Sequence, residues 1–189
     1  MADKSPTTFE YALLGLTGAW PMAGYDIHRA FATTPLGHFS SSPGAIYPAL
    51  RRLARQGLLE CRLDTTVEAR PRRMYSLTKA GRDVLDAWLH EPVTREDLIR
   101  GRGAPALRFA FAEWRLSRDE VLAYLRGYRE VVGAYVEELR GHTRDIPAEA
   151  GVHARLAMEL GIRACEAELE WTTWAESQIG PAAQLAGEV

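Results

Sequence analysis

Residues 42–57 have the sequence SPGAIYPALRRLARQG, which predicts a short helix with one apolar side and one basic side. Ser42 supplies an N-cap hydroxyl, and Pro43 suits the first helical position, where no backbone N–H is needed. Gly57 predicts the end of the helix, because glycine readily adopts the left-handed conformation common there. One stripe should be buried, since apolar residues recur at spacings of four and three: Ile46, Leu50 and Leu53.

The opposite side of this helix combines small residues with arginines. Gly44 and Pro48 allow the backbone to approach another surface closely, and Tyr47 lies at the edge. Arginine and tyrosine side chains can reach base edges or phosphates, so this side is suited to the major groove of DNA. The basic residues on it are Arg51, Arg52 and Arg55.

The elements around this helix predict a winged helix. Two helices precede it, and two short strands and a fourth helix follow it. Three helices and a β-hairpin form a helix-turn-helix with a wing, so we expect a mainly α fold with a small β-hairpin wing. The predicted elements are helices over 9–19, from Gly24 onward and over 42–57, strands over 58–63 and 72–77, and a helix over 79–89.

Charge is distributed unevenly along the chain. The formal net charge is −2, yet residues 42–82 hold nine Lys and Arg against three acidic residues, a balance of +6. Residues 93–189 hold 12 basic and 16 acidic residues, a balance of −4. Because the basic segment coincides with the predicted helix and wing, it favours contact with a polyanion over an ordinary solvated surface.

The composition and the motifs that are missing exclude several classes of protein. The 189 residues are 47% hydrophobic, as in a packed domain. The sequence contains no run of 18 apolar residues, so we expect no membrane-spanning helix. The N-terminal residues contain no apolar signal segment, so we expect a cytoplasmic protein. Cys61 and Cys165 lie 104 positions apart, and the five histidines form no metal-binding pattern. With no nucleophile motif or phosphate-binding loop either, we expect neither an enzyme nor a cofactor or metal.

Five blocks in the first half carry a family resemblance. They are YALLGL at 11–16, GYDI at 24–27, SPGAIYPALRRL at 42–53, GLLE at 57–60 and RPRRMYSLTKAGR at 70–82. In order and spacing they resemble the PadR family of bacterial transcriptional regulators, and Phe39 stands where that family usually carries tryptophan. The resemblance implies a dimeric winged-helix DNA-binding protein, usually a repressor released by an effector or stress. Over 105–178 the chain resembles, more weakly, the family's members with a long C-terminal helical domain.

The second half predicts a helical domain that contacts a second subunit. A regular helix over 118–141 has an apolar seam, and the last helix, about 148–178, is apolar on two faces. A helix with two apolar faces needs two partners, so we expect the helix over 118–141 on one face and a second subunit on the other. The expected dimer interface consists of Val121, Leu125, Tyr128, Val132, Tyr135, Leu139, Leu156, Leu160 and Leu169.

The predicted domain organisation is a winged helix-turn-helix over 1–92, a linker over 93–104 and a C-terminal helical dimerisation domain over 105–189, which includes a helix over 106–114. Aromatic residues of this last domain can form a cavity for a flat apolar or phenolic effector. Taken singly, each is explained as well by ordinary core packing. They are Phe109, Trp114, Tyr124, Trp171 and Trp174.

Together these features predict a homodimeric, sequence-specific repressor that binds a pseudo-palindromic operator in double-stranded DNA and is released by a small-molecule effector. Two alternatives share the fold: a transcriptional activator, and a protein-interaction module without DNA affinity. In the DNA-binding hypothesis, two such helices enter successive major grooves of one duplex. The predicted DNA contacts are Ser42, Gly44, Tyr47, Pro48, Arg51, Arg52, Arg55, Arg70, Arg72 and Arg73.

Overall fold

The computed structural model describes residues 5–40, 42–65, 71–100, 103–144, 147 and 151–180. The described part is mainly helical with one small antiparallel sheet, which confirms the predicted fold class. No described helix is both long enough and apolar enough to cross a lipid bilayer. The elements are α1 (Thr8–Ala19), β1 (Met22–Ala23), α2 (Gly24–Thr33), a 3₁₀ helix (Pro35–His38), α3 (Pro43–Arg55), β2 (Leu59–Asp64), β3 (Arg72–Leu77), α4 (Lys79–Leu89), α5 (Arg95–Arg100), α6 (Gly103–Ala112), α7 (Arg118–Arg144) and α8 (Gly151–Ile179).

The first half has the predicted winged-helix arrangement. Strands β2 and β3 form the hairpin, with Leu59 opposite Leu77 near its base. β1 adds a third strand, with Met22 opposite Tyr75, which is too short to be visible as a sequence pattern. The core is formed by almost completely buried side chains from α1, α2, α3 and α4: Leu13, Leu14, Ile27, Phe31, Ile46, Leu50, Leu53, Leu85 and Leu89.

The chain forms two compact units, and their boundaries differ from the predicted ones. The first unit contains the residues up to Glu91 together with Ala106–Arg115. The second contains Pro92–Pro105 and the residues from Leu116 onward. The segment that includes most of α6 was predicted to belong to the C-terminal domain, but it lies with the winged helix.

Contacts within the first unit explain why Ala106–Arg115 belongs to it. The ring of Phe111 lies so close to Gly15 of α1 that a Cβ atom at Gly15 would collide with it. Arg115 donates a hydrogen bond from Nη1 to a carboxylate oxygen of Asp86 in α4, at 2.6 Å. The apolar spacing of this helix indicated that one side is buried, but spacing alone does not identify the element that covers it.

The segment predicted as a linker, 93–104, contains α5 and the start of α6. The backbone N–H and the hydroxyl of Thr94 both donate to the Asp97 carboxylate at 2.9 Å, which caps α5. Val93 and Leu98 are buried in a cluster with residues of α7 and α8. The linker prediction was therefore wrong at this point, since the segment contributes to the core of the second unit.

The two long helices of the second unit, α7 and α8, pack against each other in antiparallel directions. Arg118, at the start of α7, donates from Nε to the carbonyl of Ile179, at the end of α8, at 2.8 Å. The apolar seam of α7 finds its partner in this unit, because α8 of the same chain covers it. Four residues predicted to contact a second subunit are consequently buried inside the unit: Val121, Leu125, Tyr128 and Val132.

The remaining residues of the predicted dimer interface fall into two groups. Tyr135, Leu139 and Leu169 are half-buried against the core cluster of the second unit. Leu156 and Leu160 of α8 are exposed, Leu160 to 71% of its surface. An exposed apolar row on α8 is thus separate from the α7 seam. It consists of Val152, Leu156, Leu160 and Trp174.

Candidate nucleic-acid interface

α3 begins at the predicted residues and buries the predicted side. The hydroxyl of Ser42 accepts a hydrogen bond from the backbone N–H of Gly44 at 3.2 Å, and Pro43 occupies the first turn. The apolar stripe is buried in the core, which turns the other side of the helix toward solvent. The predicted contact residues on that side are exposed or, for Tyr47, half-buried: Ser42, Gly44, Tyr47, Pro48, Arg51 and Arg55.

A groove of about 800 Å³ runs beside α3, between the first turn of α2 and the wing. α3 contributes Tyr47 and Arg51 to its wall. Arg72 and Arg73 of β3 line the opposite side and are exposed. The groove therefore brings together the arginines of two elements that lie about twenty residues apart in the sequence.

The first turn of α2 lines the same groove, although its residues were not among the predicted DNA contacts. Tyr25 is 65% exposed there, and Asp26 and Arg29 form an ion pair at 3.2 Å. The nearness of these residues to α3 and β3 depends on how the chain folds, so local spacing does not predict it. The only local signal was an aromatic residue at the start of a helix that otherwise buries Ile27 and Phe31.

Gly24 fixes the position of Tyr47. A Cβ atom at Gly24 would lie 2.9 Å from Cε1 of Tyr47, so the tyrosine ring packs directly on the backbone of α2. A larger residue at position 24 would displace that ring. The glycine of the GYDI block is thereby explained by the close approach of α3 to α2.

A second depression, of about 480 Å³, lies between α3 and the sheet. Arg51 and Arg73 border it as they border the larger groove, and Arg55 and Cys61 complete much of its rim. Burial raises the pKa of the Tyr75 phenol at its base, with the Cys61 side chain adding to the effect. The phenol is therefore neutral at ordinary pH, and the charge in this region comes from the arginines.

Arg52 is exposed but is not among the residues that line either depression. Its Nε donates a hydrogen bond to Oε1 of Glu10 in α1 at 2.8 Å. Adjacent helical residues point about 100° apart, so Arg51 and Arg52 face different neighbours. Arg52 connects α3 to α1, a contact between residues 42 positions apart that the helix pattern alone does not reveal.

The wing arginines are described in part. Arg72 and Arg73 are exposed on β3, and Arg62 of β2 pairs with Glu60 on the same strand. Arg70, which was predicted to contact DNA, lies outside the described residues. The described wing therefore contributes two arginines to the candidate interface.

The aromatic residues predicted to line one effector cavity belong to both units. In the second unit, the rings of Tyr124 and Trp171 each lie 6.3 Å from the ring of Tyr128, within the core. Trp174 is 59% exposed on α8. Within this unit two of the three predicted residues, Tyr124 and Trp171, pack against the core, whereas the third faces solvent.

The first unit has its own small cavity, of about 220 Å³. Trp20 and Trp114 both border this cavity, and both indoles are largely exposed. Trp20 was not among the predicted effector-binding residues. Phe111 and Arg115 also line it, and Phe109 is half-buried in the same helical segment. The wall is mainly apolar with a single charged side chain, which suits a small flat molecule.

An outward-facing third helix beside an arginine-bearing hairpin defines a DNA-binding winged-helix protein of the transcriptional regulator class. Residues 13–87 match the family described as transcriptional regulator PadR-like. Residues 106–180 match a second family, described as virulence activator alpha C-term. The chain belongs to the PadR-like family of transcriptional regulators, which are not enzymes.

Two curated relatives support this membership. The negative transcriptional regulator PadR of Bacillus subtilis is 27% identical over 176 residues, covering 89% of this chain and 93% of the relative. The transcriptional regulator Rv3488 of Mycobacterium tuberculosis is 39% identical over 80 residues, covering 40% of this chain and 74% of the relative.

Crystal structures of the B. subtilis protein are also similar to this chain. The complex with operator DNA matches with a TM-score of 0.41 and 23% identity, covering 92% of this chain and 99% of that one. The complex with p-coumaric acid matches with a TM-score of 0.40 and 24% identity over the same shares of both chains.

Proposed function

We propose that this chain is a homodimeric transcriptional repressor that acts in the cytoplasm on a specific, pseudo-palindromic DNA site. The observation that carries the proposal is the groove beside α3, in which Arg51, Arg72 and Arg73 lie together. A groove of this charge beside an exposed helix is suited to a duplex, whose phosphates attract arginine and whose major groove admits a helix. Repression is favoured over activation because the B. subtilis relative is a negative regulator.

The two sides of the groove have different roles in this proposal. Arg51 and Tyr47 of α3 contact base edges and so provide sequence specificity. Arg72 and Arg73 on the wing contact phosphates or enter the minor groove and so provide affinity for any duplex. Gly44 and Pro48 present little side chain, which allows the backbone of α3 to approach the bases.

Selection of binding sites from a random duplex library tests the proposal. We expect the full-length protein to enrich one sequence with two-fold symmetry, with half-sites centred about 10–10.5 base pairs apart or a multiple of that. Absence of enrichment by correctly folded protein would favour the protein-interaction module instead. The selected site, placed across a reporter promoter, then separates a repressor, which lowers transcription when present, from an activator, which raises it.

The exposed row on α8 is the surface we propose for the second subunit. Exposed apolar side chains that share one face of a helix are commonly covered by a partner. Leu156→Asp combined with Leu160→Asp places two charges in the row, so we expect the dimer to dissociate in light-scattering measurements of molar mass. Glu137→Ala, on the exposed side of α7, is the control and should leave the mass unchanged. A doubly substituted protein that keeps a dimeric mass would show that the interface lies elsewhere.

We further propose that a flat aromatic effector occupies the cavity beside Trp20 and Trp114 and releases the DNA. An effector acts only if it binds the DNA-free arrangement better than the DNA-bound one. Phenolic acids, beginning with p-coumaric acid, are the first probes, because that compound is bound in one structure of the B. subtilis relative. We expect quenching of tryptophan fluorescence that Trp114→Phe reduces and Trp174→Phe does not. Equal quenching in both variants would place the compound elsewhere.

A further inference from the structure

The ion pair between α1 and α3 involves a buried acid. Glu10 is only 6% exposed, in the first turn of α1. Its carboxylate accepts hydrogen bonds from the backbone N–H and the hydroxyl of Thr7, both at 2.9 Å, and from Nε of Arg52 at 2.8 Å. One carboxylate therefore caps its own helix and also holds the neighbouring helix α3.

The charge on Glu10 is stabilised although the side chain is buried. Burial by itself raises the pKa of the carboxyl, but the hydrogen bonds from Thr7 and Arg52 outweigh it. The pKa of Glu10 is consequently lower than its ordinary value, and the pair is fully charged at neutral pH. A charged, hydrogen-bonded pair is both stronger and more directional than a neutral contact.

The other contacts of α3 with the core have a different character. Ile46, Leu50 and Leu53 are completely buried, and this apolar packing, which is non-directional, determines which side of the helix faces the core. The hydrogen bond from Arg52 is directional and lies one residue from Arg51, which lines the groove. A small rotation of α3 about its axis would move both residues together.

We propose that Glu10 and Arg52 are positioning residues for DNA recognition, and that their ion pair sets the rotation of α3 at which Arg51 and Tyr47 meet the bases. This inference rests on the proposed function, because it assigns roles within the same DNA-binding site. It also replaces the direct DNA contact that the sequence suggested for Arg52. Neither Glu10 nor Arg52 touches DNA in this account.

The two roles of Arg52 predict opposite effects of Glu10→Gln. This substitution removes a negative charge and releases Arg52, so a direct phosphate contact by Arg52 would make DNA binding tighter. A positioning role makes specific binding weaker, because α3 loses its directional contact. Glutamine also accepts the Thr7 hydrogen bonds of the helix cap, so the substitution leaves the start of α1 intact.

The experiment compares the duplex selected by the wild-type protein with a scrambled duplex of equal length, at two salt concentrations. For Glu10→Gln and for Arg52→Gln we expect the ratio of selected to scrambled affinity to fall about tenfold, a typical coupling between contacting residues. The double variant should be no worse than either single variant. The dependence of affinity on salt should be unchanged, since no phosphate contact is lost.

Thr94→Ala is the control for stability. It removes the hydroxyl that caps α5 in the second unit and leaves Thr7, Glu10 and Arg52 unchanged, so it should lower the melting temperature without changing the affinity ratio. All variants are compared at a temperature where stoichiometric titration shows them to be fully active. If Glu10→Gln and Arg52→Gln affected only stability, their ratio of selected to scrambled affinity would then equal that of the wild-type protein. That result would overturn the inference.

Two further results would also overturn it. One is tighter binding by Glu10→Gln; the other is a salt dependence that falls in Arg52→Gln as it does when a phosphate contact is lost. These results leave the proposed function intact, because the wild-type protein would still bind its selected site. Failure of the wild-type protein to select any duplex would instead remove the proposed function, and this inference with it.

Discussion

The arginines beside the groove and those of the second unit have different surroundings. Among the described residues, Arg51, Arg55 and Arg72 are exposed and have no ion-pair partner, although other arginines of the first unit, such as Arg52 and Arg115, do pair with acids. Arginines of the second unit are bound to acids, since Arg126 and Arg129 both contact Glu176, at 2.8 and 2.6 Å. Further examples in the second unit are Arg95 with Glu138, Arg140 with Glu137 and Glu166, and Arg163 with Glu159.

This difference shows that the arginines beside the groove are distinguished by having no paired acid among the described residues. A guanidinium held by a carboxylate is already neutralised and orients its donors toward that partner. A guanidinium without such a partner is available for phosphates or base edges. The net charges of the two halves of the sequence indicated this contrast, but the pairing in the structure shows how it arises.

The largest effect is expected when an acid is introduced beside the groove. Arg55→Glu places a carboxylate four residues after Arg51 on α3, where it can pair with that arginine as acids do in the second unit. We expect DNA affinity in gel-shift titrations to fall about a hundredfold below that of Arg55→Ala, because a negative charge that faces the phosphates costs several kcal/mol. Equal affinities for the two variants would contradict the comparison.

Loss of the groove arginine itself should have the next largest effect. Arg51→Ala should weaken binding to the selected duplex by about 1–3 kcal/mol and relax the preference at one base position. Arg140→Ala removes the same charge from α7, where Glu137 and Glu166 hold it, and is the matched control. Isothermal titration calorimetry measures the loss of binding free energy in both variants. A similar loss in both would mean that overall charge, not position, controls binding.

The wing should contribute affinity without specificity. Arg72→Ala should weaken binding to selected and scrambled duplexes by the same factor. The slope of log affinity against log salt should become less steep by about 0.9, the value for one phosphate contact on duplex DNA. A loss confined to the selected duplex would instead show that Arg72 contacts a base.

The smallest effect is expected for the paired arginines of the second unit. Hydrogen bonds from Arg126 and Arg129 lower the pKa of Glu176 in the folded protein. The contribution of this pair to stability is therefore present above the ordinary carboxyl pKa and is lost as the pH falls through the lowered value. Glu176→Gln should lower the melting temperature slightly at pH 7 and less at pH 3. If Glu176→Gln lowered the melting temperature more at pH 3 than at pH 7, the lowered pKa assigned to Glu176 would be contradicted.

Local sequence was sufficient for the parts of the fold that depend on local spacing. The cap at Ser42, the stripe of Ile46, Leu50 and Leu53, and the hairpin that follows all appear in the structure. Their signals lie within a few residues of one another, so helix and strand periodicity reveals them. The resemblance to the family covered the same region.

The parts that sequence did not reveal depend on contacts between distant residues. Arg52 was assigned to DNA because it lies among arginines, but Glu10 holds it from another helix. Tyr25 and Arg29 reach the groove only because α2 crosses near the wing. The α7 seam was assigned to a second subunit, although α8 of the same chain covers it. In each case the contact joins elements that are distant in the sequence, so helix periodicity alone does not identify the partner.

The division of the chain into units affects how this protein can be cut or recombined. The backbone passes from one unit to the other at three points: after Glu91, after Pro105 and after Arg115. A fragment ending at Glu91 would lack the helix whose Phe111 lies on Gly15, and would expose that face of α1 to water. The DNA-binding half therefore cannot be exchanged between relatives by a single crossover, and a functional chimera must inherit the return segment along with it.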